Sequence, residues 1–167
     1  MKLSDVTLYL DVDGVINTNQ NKSFTDLKLG FATPLDEPDE SYKMRWSPTI
    51  ISFLMSLGIR IVYLSSWKAS GPAVLDPLFG LKSDGFLDWD KIPNTYFDFG
   101  KLVALKADQE AHPSPFIWID DIATRNFKNK EWTEAGRNDF LVIQTSDRYG
   151  LNSKQLDKMA DFVAAHS

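Results

Sequence analysis

Four apolar or β-prone residues near the start of the chain, Thr7-Leu8-Tyr9-Leu10, run directly into two carboxylates, Asp11 and Asp13. A run of this kind predicts a buried strand. Aspartate is a poor strand former and a costly group to bury, so two of them at a strand end need a compensating partner. Gly14 follows at once, then the apolar pair Val15-Ile16. The simplest compensation is a divalent cation with chemistry on phosphate. Taken alone, Asp-x-Asp-Gly also fits a calcium-like structural loop, or a solvated turn whose acids cap a helix.

The rest of the chain repeats the pattern of an apolar strand with a polar end. Ser47-Pro48 reads as an N-cap followed by proline at the first helical position. Ile50, Ile51, Phe53, Leu54 and Leu57 then form a core-facing stripe that Gly58 ends. Ile59 to Leu64 is a second buried strand, ending in Ser65-Ser66. Strand, helix, strand in this order predicts a right-handed unit with parallel strands. A short helical piece is expected around Ala73–Phe79 and a longer helix from Gly100 to about Glu110. Phe116-Ile117-Trp118-Ile119 is a third strand, ending in Asp120-Asp121, and Phe140 to Ile143 a fourth. A last helix is expected over about 153–165. Residues 122–138 read as a polar connection.

Alternating strands and helices predict an α/β fold: one Rossmann-like, three-layer domain with a mainly parallel central sheet. Ligands of such sheets bind beyond the carboxyl ends of the strands. Acids at two strand ends make an oxygen-ligand site suited to Mg2+. Without a cation, carboxylates crowded in one crevice repel and some keep their protons. Asp11 is then a candidate nucleophile toward phosphorus and Asp13 a candidate acid and base. Ser65, with Ser66 as a near-equal alternative, is a candidate donor to a phosphoryl oxygen. Lys101 at a helix start opposes the helix dipole, which hints at an anion nearby; the competing reading is a surface lysine.

Length and composition bound the answer. At 167 residues, one domain over 1–167 is expected, with an insertion at about 18–47. That stretch is polar and irregular, with Pro34, Pro38 and an acidic run from Asp36 to Glu40, and is expected to form a β-hairpin flap over the first strand's end. A net charge of -5 argues against broad, non-specific binding to nucleic-acid backbones. With no cysteine, disulfides, thiolate metal sites and a cysteine nucleophile are excluded. The first strand begins at Thr7 and no long apolar run follows, so neither a secretory signal nor a membrane association is expected. The expected location is cytoplasmic.

Asp11-Val12-Asp13-Gly14-Val15, a strand-end Ser65, Lys101 and Asp120-Asp121 come in the order and spacing of the four motifs of the haloacid dehalogenase-like (HAD) superfamily. The chain resembles in particular the branch found as the HAD domain of Swiss-army-knife RNA repair proteins. That likeness rests on the LDVDGV-N opening, Trp67 after the second motif, the Trp118-Ile119-Asp120-Asp121 fourth motif, and the tail from Gly150-Leu151. It implies a magnesium-dependent phosphatase in which Asp11 is the nucleophile and Asp13 the general acid and base. Ser65 and Lys101 would hold the transferring phosphoryl group. Asp120 or Asp121 would bind magnesium with Asp11 and the backbone carbonyl of Asp13. Two departures stand out: Trp67-Lys68 replaces a more usual glutamate, and Gly100 replaces an aromatic, which leaves Lys106 as an alternative to Lys101.

No large cap domain is expected in the gaps between motifs, so the site should stay open to a phosphorylated RNA or DNA end, a nucleotide or another accessible phosphomonoester. Arg125, Lys128 and Lys130 are candidate backbone-phosphate contacts, and Trp46, Trp67 and Trp89 candidate stacking platforms. The competing readings are a solvated basic face and core tryptophans. The alternatives to a hydrolase are a non-catalytic phosphate- or partner-binding module and a phosphotransferase. Protein partners are unreadable.

Overall fold

The computed structural model describes residues 4–90 and 97–167. Strand β1 (Thr7–Leu10) is followed by β2 (Lys28–Ala32) and β3 (Tyr42–Trp46), then helix α1 (Pro48–Ser56) and strand β4 (Arg60–Tyr63). A wide helical turn at Gly71–Leu75 runs into α2 (Asp76–Phe79). Helix α3 (Phe97–Ala111), β5 (Phe116–Asp120), α4 (Asn129–Glu134), β6 (Phe140–Gln144) and α5 (Ser153–Ala165) complete the chain.

The main sheet has the order β4-β1-β5-β6, and every pair in it is parallel. β1 therefore lies inside the sheet with neighbours on both sides, which is why its body is wholly apolar or hydroxyl-bearing. Side chains alternate across it. Leu8 and Leu10 join Ile61, Ile117, Ile119 and Ile143 in a core closed by α1 and α5, through Ile50, Ile51, Leu54, Leu156, Met159 and Val163. Tyr9 faces the other way, with Val62, Phe116 and Trp118, toward Leu102 and Leu105 of α3 and Trp132 of α4. Two cores on two faces of one sheet make the three-layer α/β architecture.

The helix signals act as expected. Ser47 Oγ accepts from the Ile50 N–H at the start of α1, and Asn152 and Gln155 form a capping box at α5. Two local readings need correction. Helix α3 begins at Phe97 and runs through Gly100, so Lys101 sits more than a turn inside it rather than at its start. The dipole argument for Lys101 therefore loses its force. The polar stretch 122–138 also holds structure: a short helical turn at Ala123–Asn126, and α4, whose Trp132 packs on Phe116, Phe127 and Phe140. A turn that buries only Ala123 and Thr124, and a six-residue helix that buries only Trp132, leave no periodic stripe to read.

Residues 18–47 contain a two-stranded hairpin. β2 and β3 pair antiparallel, with Lys28 opposite Trp46 and Ala32 opposite Tyr42. Ala32, Met44 and Trp46 anchor it in the α1 core. It meets the segment that follows β1 through the Thr18 N–H, which donates to Arg45 O at 3.2 Å.

Candidate active site

All four strands of the parallel sheet end in polar groups at one edge: Asp11 after β1, Ser65 just past β4, Asp120 and Asp121 at β5, and Thr145 after β6. Asp11 (5% exposed) and Asp120 (1%) are buried, and Asp121 is partly buried. The carboxylates of Asp11, Asp120 and Asp121 each offer an oxygen within 4.8 Å of the others. Three acids in so small a space are held apart in charge by one lysine. Lys101 Nζ lies 2.7 Å from Asp120 Oδ2 and 3.4 Å from Asp11 Oδ1.

The electrostatics follow. Burial pushes the Asp11 carboxyl well up from the ordinary range; Lys101 opposes this, and Asp120 and Asp121 add to it. Asp121 is also raised, by burial and then by Asp120, although a hydrogen bond with Asp11 works the other way. Burial alone would push the Lys101 ammonium down. The adjacent Asp11 and Asp120 carboxylates outweigh it, so the net direction is up and the lysine stays charged. The cluster carries more negative charge than one ammonium can balance, which is the condition a divalent cation relieves.

The acids are not equivalent. Asp120 Oδ1 accepts from the backbone N–H groups of Ile122 (2.8 Å) and Ala123 (2.7 Å), and its Oδ2 accepts from Lys101. Asp120 is thus braced on both oxygens. Asp121 lies against Gly14, whose φ of +78° and missing side chain let the β1 turn pass beneath it. Thr145 Oγ1 fixes the same turn by donating to Gly14 O at 2.7 Å.

Asp13 stands apart from the three. Its side chain is exposed, with Oδ1 accepting from Asn17 Nδ2 at 2.8 Å and Oδ2 from Trp67 Nε1 at 3.1 Å. A cavity of about 300 Å3 opens beside it, bounded by Asn17, Ser66, Trp67 and the hairpin residues Asp36, Glu37 and Tyr42.

Ser65 is fully buried; its Oγ accepts from Trp67 N at 3.2 Å and its carbonyl from Trp89 Nε1 at 2.9 Å. Ser66 is exposed on the cavity wall. Of the two lysines, Lys101 meets the carboxylates, whereas Lys106 pairs with Glu131 at 2.5 Å on the surface. Lys68 pairs with Asp90. The tryptophans are not stacking platforms: Trp46 packs on Phe79, Trp67 is bonded to Asp13 and Trp89 to Ser65, and all three are buried. Arg125, Lys128 and Lys130 are exposed, with Arg125 Nε donating to Ile122 O. Thr145 escaped the sequence reading, and Asn17 entered it only as the asparagine of the LDVDGV-N opening, without a role. The polar end of β6 signalled Thr145, and the asparagine four residues after Asp13 signalled Asn17.

A parallel sheet with an inner first strand, and carboxylates from β1 and β5 gathered with a helix lysine at its carboxyl edge, are the arrangement of a HAD-like domain. Residues 7–156 match the family described as the HAD domain in Swiss Army Knife RNA repair proteins, and the chain belongs to that family. Comparison with curated proteins and with solved structures found no match. Among the described residues, no helix is long and apolar enough to cross a membrane.

Proposed function

We propose that this chain is a magnesium-dependent phosphohydrolase that works through an aspartyl-phosphate on Asp11. The observation that carries the reading is the buried Asp11 carboxylate at the end of β1, within 3.4 Å of the Lys101 ammonium and beside Asp120 and Asp121.

An Asp11 oxygen attacks phosphorus and the bond from phosphorus to the ester oxygen breaks. The electron pair goes to the departing oxygen, which takes the proton of Asp13 and leaves as an alcohol. Water then attacks the aspartyl-phosphate and gives its proton to Asp13. The bond to Asp11 breaks, and inorganic phosphate leaves. Lys101 stabilises the phosphoryl charge while holding Asp11 in place. Ser65 would donate its hydroxyl to a phosphoryl oxygen.

The donor set suits a hard cation. Asp11 and Asp121 would hold it with the backbone carbonyl of Asp13, while Asp120, saturated by two N–H groups and Lys101, braces the site. Magnesium, when bound, supplies the positive charge that keeps these carboxylates ionised and offsets charge on the phosphoryl oxygens.

The substrate is a phosphomonoester with an accessible phosphate. The family description supports a nucleic-acid end; Asp36 and Glu37 beside the cavity weigh against a long polyanion crossing that wall. A chain without cysteine suits the reducing cytoplasm.

The test is phosphate release by wild type and Asp11→Asn, with and without magnesium. An aryl phosphate, nucleotides and 3'- or 5'-phosphorylated oligonucleotides serve as substrates. Release that needs both magnesium and Asp11 is the expected result; release that survives the substitution overturns it.

A further inference from the structure

Both oxygens of the Asp13 carboxylate are engaged, and both donors lead to the hairpin. Asn17 Nδ2 donates to Asp13 Oδ1 at 2.8 Å, while Asn17 Oδ1 accepts the Arg45 N–H of β3 at 2.9 Å. Trp67 Nε1 donates to Asp13 Oδ2 at 3.1 Å, and the Trp67 ring meets the ring of Tyr42, also on β3, edge-on at 5.8 Å. Asp13 is exposed, and a carboxylate in that setting ordinarily samples several rotamers. A donor on each oxygen restricts that freedom. Asn17, Tyr42 and Trp67 also wall the cavity beside Asp13.

We propose that Asn17 and Trp67 are positioning residues that clamp Asp13 for proton transfer and tie its orientation to the seating of the β2–β3 hairpin. This rests on the hydrolase reading above, in which Asp13 protonates the leaving oxygen. The argument is chemical as well as geometric. Two N–H donors match the carboxylate that remains once Asp13 has given up its proton. Their contribution is therefore greatest where the leaving group most needs that proton. An aryl oxygen departs readily as the anion; an alkyl oxygen does not. A leaving group seated in the cavity would touch Asn17, Tyr42 and Trp67, the same residues that hold the acid and meet the hairpin.

The experiment compares Trp67→Phe, which keeps an aromatic ring beside Tyr42 but loses the N–H and part of the indole, and Asn17→Ala with wild type. Single-turnover phosphate release is measured from an aryl and an alkyl monoester, alongside thermal melting. Proton transfer from a placed acid contributes about 10²–10⁴ in rate. Each variant should lose at least about tenfold more on the alkyl than on the aryl ester; a lower melting point from the trimmed Trp67 ring or the lost Arg45 partner affects both esters alike and leaves that ratio unchanged. Equal losses on both esters, or none, would overturn the assignment and leave the hydrolase reading standing. Wild type that releases phosphate from neither ester would overturn that reading and this assignment with it.

Discussion

The Asp121 carboxylate occupies the space that a side chain on Gly14 would need. A Cβ built on Gly14 would stand 2.4 Å from Asp121 Oδ2, and Gly14 has a φ of +78°. The turn after β1 and the end of β5 are thus packed backbone against carboxylate, and the spacing of the acids depends on that contact. Gly14→Ala should cost at least about 1 kcal/mol from the left-handed backbone alone. It should also push Asp121 out of the cluster. The expected result is a lower urea midpoint together with weaker magnesium binding by calorimetry; unchanged magnesium affinity would show that Asp121 is not a ligand.

Lys101 is the one cation shown within the buried cluster among the described residues, and it bridges Asp11 and Asp120. Removing one partner of a buried ion pair costs roughly 3–5 kcal/mol, because the other charge is left without compensation. Lys101→Met should therefore lower stability by an amount in that range in chelator and by less with magnesium present. It should also abolish phosphate release. Equilibrium denaturation with and without magnesium measures the difference.

Asp108 gives a pH dependence far from the site. Burial works to raise its carboxyl, but Arg60 and the Tyr9 hydroxyl, at 2.8 and 2.5 Å, outweigh burial and hold it below the ordinary carboxylate range. A group lowered in the folded state contributes stability that is fully present above its unfolded value and is lost as pH falls through its folded value. Hydrogen bonds to a charged group are worth about 1.5–3 kcal/mol. Asp108→Asn should be less stable than wild type by about that much at neutral pH. The gap should close as the pH is taken below the ordinary carboxylate range. Paired urea titrations at neutral and acid pH check this; a gap that is constant with pH would mean that the ionised carboxylate contributes nothing.

Much of this architecture is legible in the sequence because its signals are local. Thr7–Leu10, Arg60–Tyr63 and Phe116–Asp120 are short apolar runs with polar ends, and Ser47-Pro48 and Asn152 are capping signals that need no tertiary context. The acids were legible because a carboxylate at the end of a buried strand is costly without a purpose. What escaped depends on contacts between distant parts of the chain. Nothing near Thr145 says that its hydroxyl will hold Gly14, 131 positions away. Asn17 reads as a turn residue until the hairpin returns Arg45 to its side chain. The dipole argument for Lys101 fails because the residue lies inside α3; the carboxylates that pair with it, Asp11 and Asp120, come from the sheet. Of the two readings open for Trp46, Trp67 and Trp89, stacking platform or core, the core one holds: all three are buried, and the indole N–H groups of Trp67 and Trp89 are committed inward.

The central claim is that the phosphoryl group passes through Asp11. Its most direct test is to quench the protein in acid while it turns over excess aryl phosphate with magnesium, and to map the adduct by peptide mass spectrometry. One phosphoryl group on the peptide that carries Asp11, absent from Asp11→Asn together with phosphate release, is the predicted result. A phosphoryl group on any other residue, or phosphate release that persists in Asp11→Asn, would contradict the account.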